Sequence, residues 1–323
     1  MEGLNKIFCG ADVKNTGICE CFFDPKLITG AIYVPKGKVF TSAELLDAVI
    51  AATLSAATMA AKDSRIFPFQ PFEAITDNTE EPTRQTFGYG TVKTVREGKY
   101  NWAFQFINGG LNLSNALRTF NGLIGKYAVI FIESQNTLIG TSKLDADGNW
   151  GLAGIPMSDI YTRPWRPSDG TNVTNYTTEF SFDPIYINEN IAFKKVAVES
   201  YLLADLAGLE DIKLSFFDEG AEGEDEVTVT AETDCGSTDV YDLYKVELAQ
   251  AAAWIVKDSA GAAKAIASVT ADDDAKGWII VLTGPDVFED GDTIQLAAPA
   301  VLAADPINVI GYESDILTTD YGS

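Results

Sequence analysis

Residues 85–107 run Gln85-Thr86-Phe87-Gly88-Tyr89-Gly90-Thr91-Val92-Lys93-Thr94-Val95, then Arg96-Glu97-Gly98-Lys99, then Tyr100-Asn101-Trp102-Ala103-Phe104-Gln105-Phe106-Ile107. Successive side chains of an extended chain point to opposite faces, so Tyr100, Trp102, Phe104 and Phe106 share one face while Asn101, Ala103 and Gln105 share the other. A row of four aromatics reads as a buried sheet face. Arg96-Glu97-Gly98-Lys99, lying between two β-prone runs, reads as the turn of a long hairpin that pairs 85–95 with 100–107. Gly88-Tyr89-Gly90 is too short to cradle a phosphate and falls inside a strand-rich run, so it reads as a bulge or a close backbone contact.

Upstream, 27–34 reads as a strand and Pro35-Lys36-Gly37-Lys38 as a turn. Thr41 or Ser42 can cap a helix with Glu44 and Asp47 in its first turns, where acids favour the positive end of the dipole. Leu45, Val49, Ala52 and Ala56 follow at steps of three and four, an apolar stripe on a helix expected to end near Lys62 and to lie on a flat sheet. Downstream, 111–124 reads as a short helix, 127–134 as a buried strand, 163–170 as a Pro-rich exposed loop and 178–187 as a further strand. Asp145-Ala146-Asp147-Gly148-Asn149 resembles the opening of a calcium loop, but that loop needs Gly where Trp150 stands and Glu where Pro156 stands. A tight Asp-Gly hairpin turn is the better reading.

The chain has 323 residues, twice an ordinary domain, with 46% hydrophobic and 22% charged residues, which is a globular composition. It contains no histidine. That removes the commonest general base and metal ligand together, and with them His-dependent serine or cysteine triads and His-containing zinc sites. Acids outnumber bases 47 to 23, a formal net of -24, which argues against general affinity for nucleic acid. From Ser215 onward there are 23 acids and 4 bases, net -19, against -5 for residues 1–214. Two modules, 1–214 and 215–323, are expected, with the acidic, glycine-bearing run 218–226 as a linker or solvated loop.

The second module carries short β-prone runs at 226–232, 240–248, 253–257, 263–270, 277–282, 293–297 and 307–312. This density points to an immunoglobulin-like β-sandwich with Trp254 and Trp278 as core anchors. The expected fold class is mainly β with one or two helices. No secretory leader is read at Met1-Glu2-Gly3 and no membrane span is expected. Cys9, Cys19 and Cys21 have poor zinc spacing and are read, with Cys235, as packed thiols. Glu73, Asp77, Glu80 and Glu81 are the carboxylates a glycosidase reading would use, but they sit in a polar loop and read as solvated charge. Neither a catalytic residue nor a cofactor is expected.

Residues 27–195 resemble the virion structural proteins of tailed bacteriophages, most nearly the tail-tube or major tail proteins. The likeness rests on the strand 27–34, the helix from Thr41, the aromatic hairpin 85–107 and the β-run from Phe131 through Pro184-Ile185-Tyr186-Ile187-Asn188. Such proteins often carry a C-terminal immunoglobulin-like module, matching 215–323. The resemblance implies a homo-oligomer made in the host cytoplasm, with stacked, usually hexameric rings in the virion tail, other virion proteins as partners and DNA as passing cargo. A second helix at 111–124 raises the alternative of a capsid, connector or head-decoration protein; an extracellular carbohydrate-binding protein is the third reading. Arg96, Lys99, Arg163 and Arg166 are basic residues in expected exposed turns of an acidic protein, so they are the expected docking groups for the acidic surface of a neighbouring subunit.

Overall fold

The computed structural model describes residues 5–6, 27–69, 71–107, 110–123, 125–168, 171, 174–188, 190–196, 202, 206, 208–234 and 237–322. The four cysteines lie outside these residues. The fold is mainly β. Two helices, Ile50–Thr58 and Gly110–Thr119, exceed two turns, and Pro184–Asn188, Tyr241–Tyr244 and Pro299–Leu302 are about one turn each. The chain forms two compact units, the first from 1–58 and 62–207, the second from 59–61 and 208–323.

The first unit is built on an antiparallel sheet in which Tyr127–Glu133 lies between Ile28–Pro35 and Thr137–Leu144, with Ile191–Lys195 beyond. These strands are apolar on both faces, and the alternation sorts them. Ala31, Tyr33, Val129 and Phe131 face one core; Ile32, Val34, Ala128, Ile130 and Ile132 face another. This two-sided burial explains why the sequence shows unbroken apolar runs here instead of alternation. The helix covers one face with Ile50, Leu54 and Ala57. The expected stripe is therefore displaced: Val49 is exposed, as are Ala52 and Ala56, and regular helix begins only at Ile50. In an alanine-rich segment the face is chosen by its few large side chains. The start signal is nevertheless real, because Thr41 N donates to Glu44 Oε2 at 2.7 Å and Glu44 N to Thr41 Oγ1 at 3.3 Å, a reciprocal capping box.

A second antiparallel sheet, in the order Asp159–Thr162, Tyr176–Phe182, Tyr100–Phe106, Ala74–Asp77, covers the other face. Its inner side chains form an aromatic core with the first sheet: Phe131 lies 5.2 Å from Phe104 and 5.8 Å from Phe180, centroid to centroid. The row 100–106 supplies this buried face, with Phe104 and Phe106 sealed and Tyr100 and Trp102 half-buried. The strand expected over 178–187 stops at Phe182, and Pro184, whose fixed φ suits a first helical position, opens a single helical turn. Asp145 Oδ1 accepts from the backbone of Asp147 and Asn149 and Gly148 has φ +78°, the tight turn expected.

The second unit is a two-sheet sandwich. One sheet runs Ile266–Asp272, Gly277–Leu282, Glu226–Thr233, Glu210–Asp218, Tyr312–Ser314, and the other Ala263–Lys264, Trp254–Lys257, Thr293–Leu296, Leu317–Thr318. Its core interleaves Ile212, Leu214, Val227, Val229 and Ile280 with Val256, Ile294 and Leu296. Trp254 and Trp278 are anchors as expected, 5.8 Å apart and each donating its indole N–H to a backbone carbonyl, of Leu248 and Lys245. The run 240–248 is not a strand: Asp239 Oδ1 accepts from Tyr241 N and opens a helical turn at Tyr241–Tyr244. The strand expected at 307–312 is replaced by Tyr312–Ser314.

Of the two expected roles for the acidic run, linker or solvated loop, the structure shows the loop. The run closes a hairpin whose strands, Glu210–Asp218 and Glu226–Thr233, pair from Ile212 to Asp218. The expected division at 214/215 cuts the first of these strands, and the chain divides instead between 207 and 208. Composition placed the charge change correctly, but strand pairing decides where a unit begins.

Burial pushes the Tyr312 and Tyr321 phenols up to about 12, helped in turn by Tyr244 and by Glu219. A raised phenol pKa means that the unfolded chain ionises first, so the contribution of these two phenols to stability is fully present below the ordinary tyrosine value of 10.0 and is lost as pH rises from there toward 12. The melting temperature of the second unit is expected to fall as pH rises from about 10 toward 12, after holding level from about pH 7 to 10. Calorimetry alongside tyrosinate absorbance checks this; a fall in melting temperature complete before any tyrosine ionises would contradict it.

Candidate assembly surface

The pairing in the second sheet continues beyond the core. After Ala74–Asp77 and Tyr100–Phe106, Asn78 N donates to Asn101 O at 2.8 Å and Glu80 N to Lys99 O at 3.0 Å, and Thr83–Thr86 then pairs with Val92–Arg96. One long hairpin thus spans 74–106, with its tip at 87–91. There Phe87 N donates to Thr91 O and Gly90 N to Phe87 O, and Gly90 takes φ +75°.

The sequence reading had the two glycine sites reversed. Gly88-Tyr89-Gly90 is the turn, and Gly98 is the point of close backbone contact: a Cβ built on it would lie 1.7 Å from Glu80 O. Residues 85–95 therefore do not pair with 100–107 across a turn at 96–99; the chain runs straight through Gly98 into the buried strand.

Every residue from 80 to 97 is exposed. These residues form an arm, and its apolar members lie bare: Phe87 47%, Tyr89 101%, Val92 55% and Val95 60% exposed. A two-stranded ribbon is at best marginally stable in water by itself. Its exposed apolar side chains are spread over both faces, Val92 opposite Thr86 and Phe87 on the face of Gln85 and Lys93.

The four expected docking cations are divided by the fold. Arg96 and Lys99 stand at the arm's base, where with Glu97, Asp183, Pro184, Ile185 and Asn188 they line a cleft of about 460 Å3. Arg96 Nη2 lies 3.0 Å from Glu80 Oε2, and Lys99 Nζ lies 4.0 Å from Asp183 Oδ1. Arg163 is at the opposite end of strand 176–182, its N–H bonded to Thr177 O and its guanidinium paired with Glu179. Arg166, exposed, forms a backbone bridge to Asn175. Three of the four thus already meet a carboxylate of their own chain. The Arg96 and Lys99 pairs are exposed, and such pairs contribute about 0–1 kcal/mol and can exchange partners at low cost. The Arg163 pair is half-buried, its Glu179 side chain only 16% exposed, so Arg163 is less free to dock elsewhere than expected.

Glu73, Asp77, Glu80 and Glu81 are exposed, Asp77 Oδ1 accepts from Thr79 N in a local turn, and Glu80 holds Arg96. In the second unit Asp273 binds Lys245 and Tyr241, and that Lys245 contact, followed by the Tyr241 hydroxyl, holds its carboxyl below the usual range. Asp292, fully buried, accepts from Lys264 Nζ at 2.6 Å and from Glu289 N at 2.9 Å. No three potential metal ligands come together among the described residues.

The charge-based expectation named residues at the base of the arm and none at its tip. A signal was present, since two glycines flanking a tyrosine between runs of alternating β-prone residues is itself hairpin chemistry. The long Arg96-Glu97-Gly98-Lys99 run outweighed it. The chain matches no family model, no curated protein and no solved structure.

Proposed function

We propose that this protein is a non-enzymatic structural subunit of a phage virion, assembling through its first unit into the stacked rings of a tail tube around a DNA channel, with the acidic second unit decorating the assembly. The observation that carries this reading is the arm: 18 consecutive exposed residues, 80–97, held in a defined ribbon and bearing four bare apolar side chains. A contact by which one subunit's arm lies on a different surface of the next is head-to-tail, and such contacts propagate into rings or filaments. The helix Gly110–Thr119 favours the second reading, a capsid or connector component.

Negative-stain microscopy and sedimentation of the purified chain test the proposal. Rings or tubes support it, shells or isolated portal-like rings transfer it to the second reading, and a monomer persisting at high concentration overturns both.

A further inference from the structure

We propose that the outer arm docks on the second unit of a neighbouring copy, against the exposed Phe217 and the acidic loop that follows it. This rests on the assembly reading and adds where the arm lands. Beyond the Arg96–Glu80 pair, residues 82–95 carry Arg84 and Lys93 and no acid, in a chain of net charge -24. Arg84 faces Thr94 and Lys93 faces Gln85 across the ribbon, so each face carries one cation. Neither cation forms an ion pair among the described residues.

The partner must therefore offer both apolar surface for Phe87 and Tyr89 and unneutralised acid for Arg84 and Lys93. The end of strand 210–218 offers the two in sequence, with more acid and no base beside it; elsewhere Leu243 and Val246 flank Lys245, and Ile316 follows a single acid, Asp315, whose Oδ1 already accepts from Leu214 N. Phe217 is 63% exposed at the end of strand 210–218, and the loop 218–226 contains six acids and no base. Asp218 and Glu224 accept backbone N–H groups of their own loop and Glu219 accepts from Asp320 N; Glu222 and Asp225 have no side-chain bond among the described residues. The cleft of about 460 Å3 at the arm's base is the rival receptor, but its lining carries two cations and two anions and so offers no net negative charge. Copies of a unit with net charge -19 after residue 214 also repel when crowded, and a cationic ribbon between them relieves that repulsion.

The test is a charge exchange in the full chain. R84E/K93E is expected to weaken assembly at least tenfold and E222K/D225K to weaken it similarly, while all four changes together restore it to within a few-fold of the original. Melting curves confirm that each variant is folded. In parallel, a photoactivatable phenylalanine analogue at position 89 is expected to crosslink to a peptide containing Phe217 from another copy.

If the original chain does not assemble, the assembly reading itself falls. If it assembles but the fourfold variant is no better than R84E/K93E, or the crosslink maps to 183–188, to nucleic acid or elsewhere, the landing site is wrong and the assembly reading stands.

Discussion

Replacing residues 82–96 by a two-residue Gly-Asn turn should leave a folded subunit that no longer assembles. The subunit survives because the excised residues contribute almost nothing to its interior: all are exposed, while the strand that feeds the aromatic core begins at Tyr100. The bonds Asn78 N to Asn101 O and Glu80 N to Lys99 O hold the cut ends in antiparallel register, so a tight turn can join them. On the proposed assembly the arm's apolar groups are the anchors of the interface, and hot-spot anchors cost about 2 kcal/mol or more when truncated. Deleting the whole tip is expected to weaken association at least about 100-fold, equivalent to roughly 2.7 kcal/mol. Sedimentation against concentration, with a melting curve to show that the subunit is folded, decides the matter. Tubes formed normally by the shortened chain would remove the arm from the mechanism.

The second large effect concerns where the acidic unit starts. A fragment 208–323 is expected to melt cooperatively, whereas 224–323 should show no transition. The shorter fragment lacks strand 210–218, which lies between Glu226–Thr233 and Tyr312–Ser314 and buries Ile212 and Leu214. Each such side chain contributes about 1.5–3 kcal/mol by burial. Its removal also strips the ladder partner from 226–233 and leaves Tyr312–Ser314 without a sheet. Against a typical domain stability of about 5–15 kcal/mol, that combined loss is decisive. Calorimetry of the two fragments checks it, and a cooperative transition in 224–323 would show that the strand is dispensable.

Both predictions depend on features that local sequence shows only in part. The aromatic row 100–106, the apolar run 127–133, the Asp145–Asn149 turn and the strand 277–282 follow from the sequence alone, because alternation and turn chemistry are properties of a few neighbouring residues. The two tryptophan anchors and the mainly β composition follow in the same way. The absence of histidine and the acidic second half are likewise matters of composition, which no folding can alter.

What tertiary structure decided is pairing. A glycine in a β-prone run signals either a backbone that must turn or a neighbour that leaves no room for a side chain, and its sequence is the same in both cases. Gly90 has φ +75° and turns the chain; Gly98 faces the carbonyl of Glu80, 18 residues away along the sequence. Only that distant strand distinguishes them, so the hairpin's tip and base were exchanged in the sequence reading. The acidic run 218–226 likewise has the composition of a linker or a solvated loop, and becomes a hairpin loop because Ile212 to Asp218 finds Thr228 to Thr233 across it. Local chemistry fixes which residues can form a strand or a turn; long-range contacts choose which strands meet, and therefore which ribbon is left exposed.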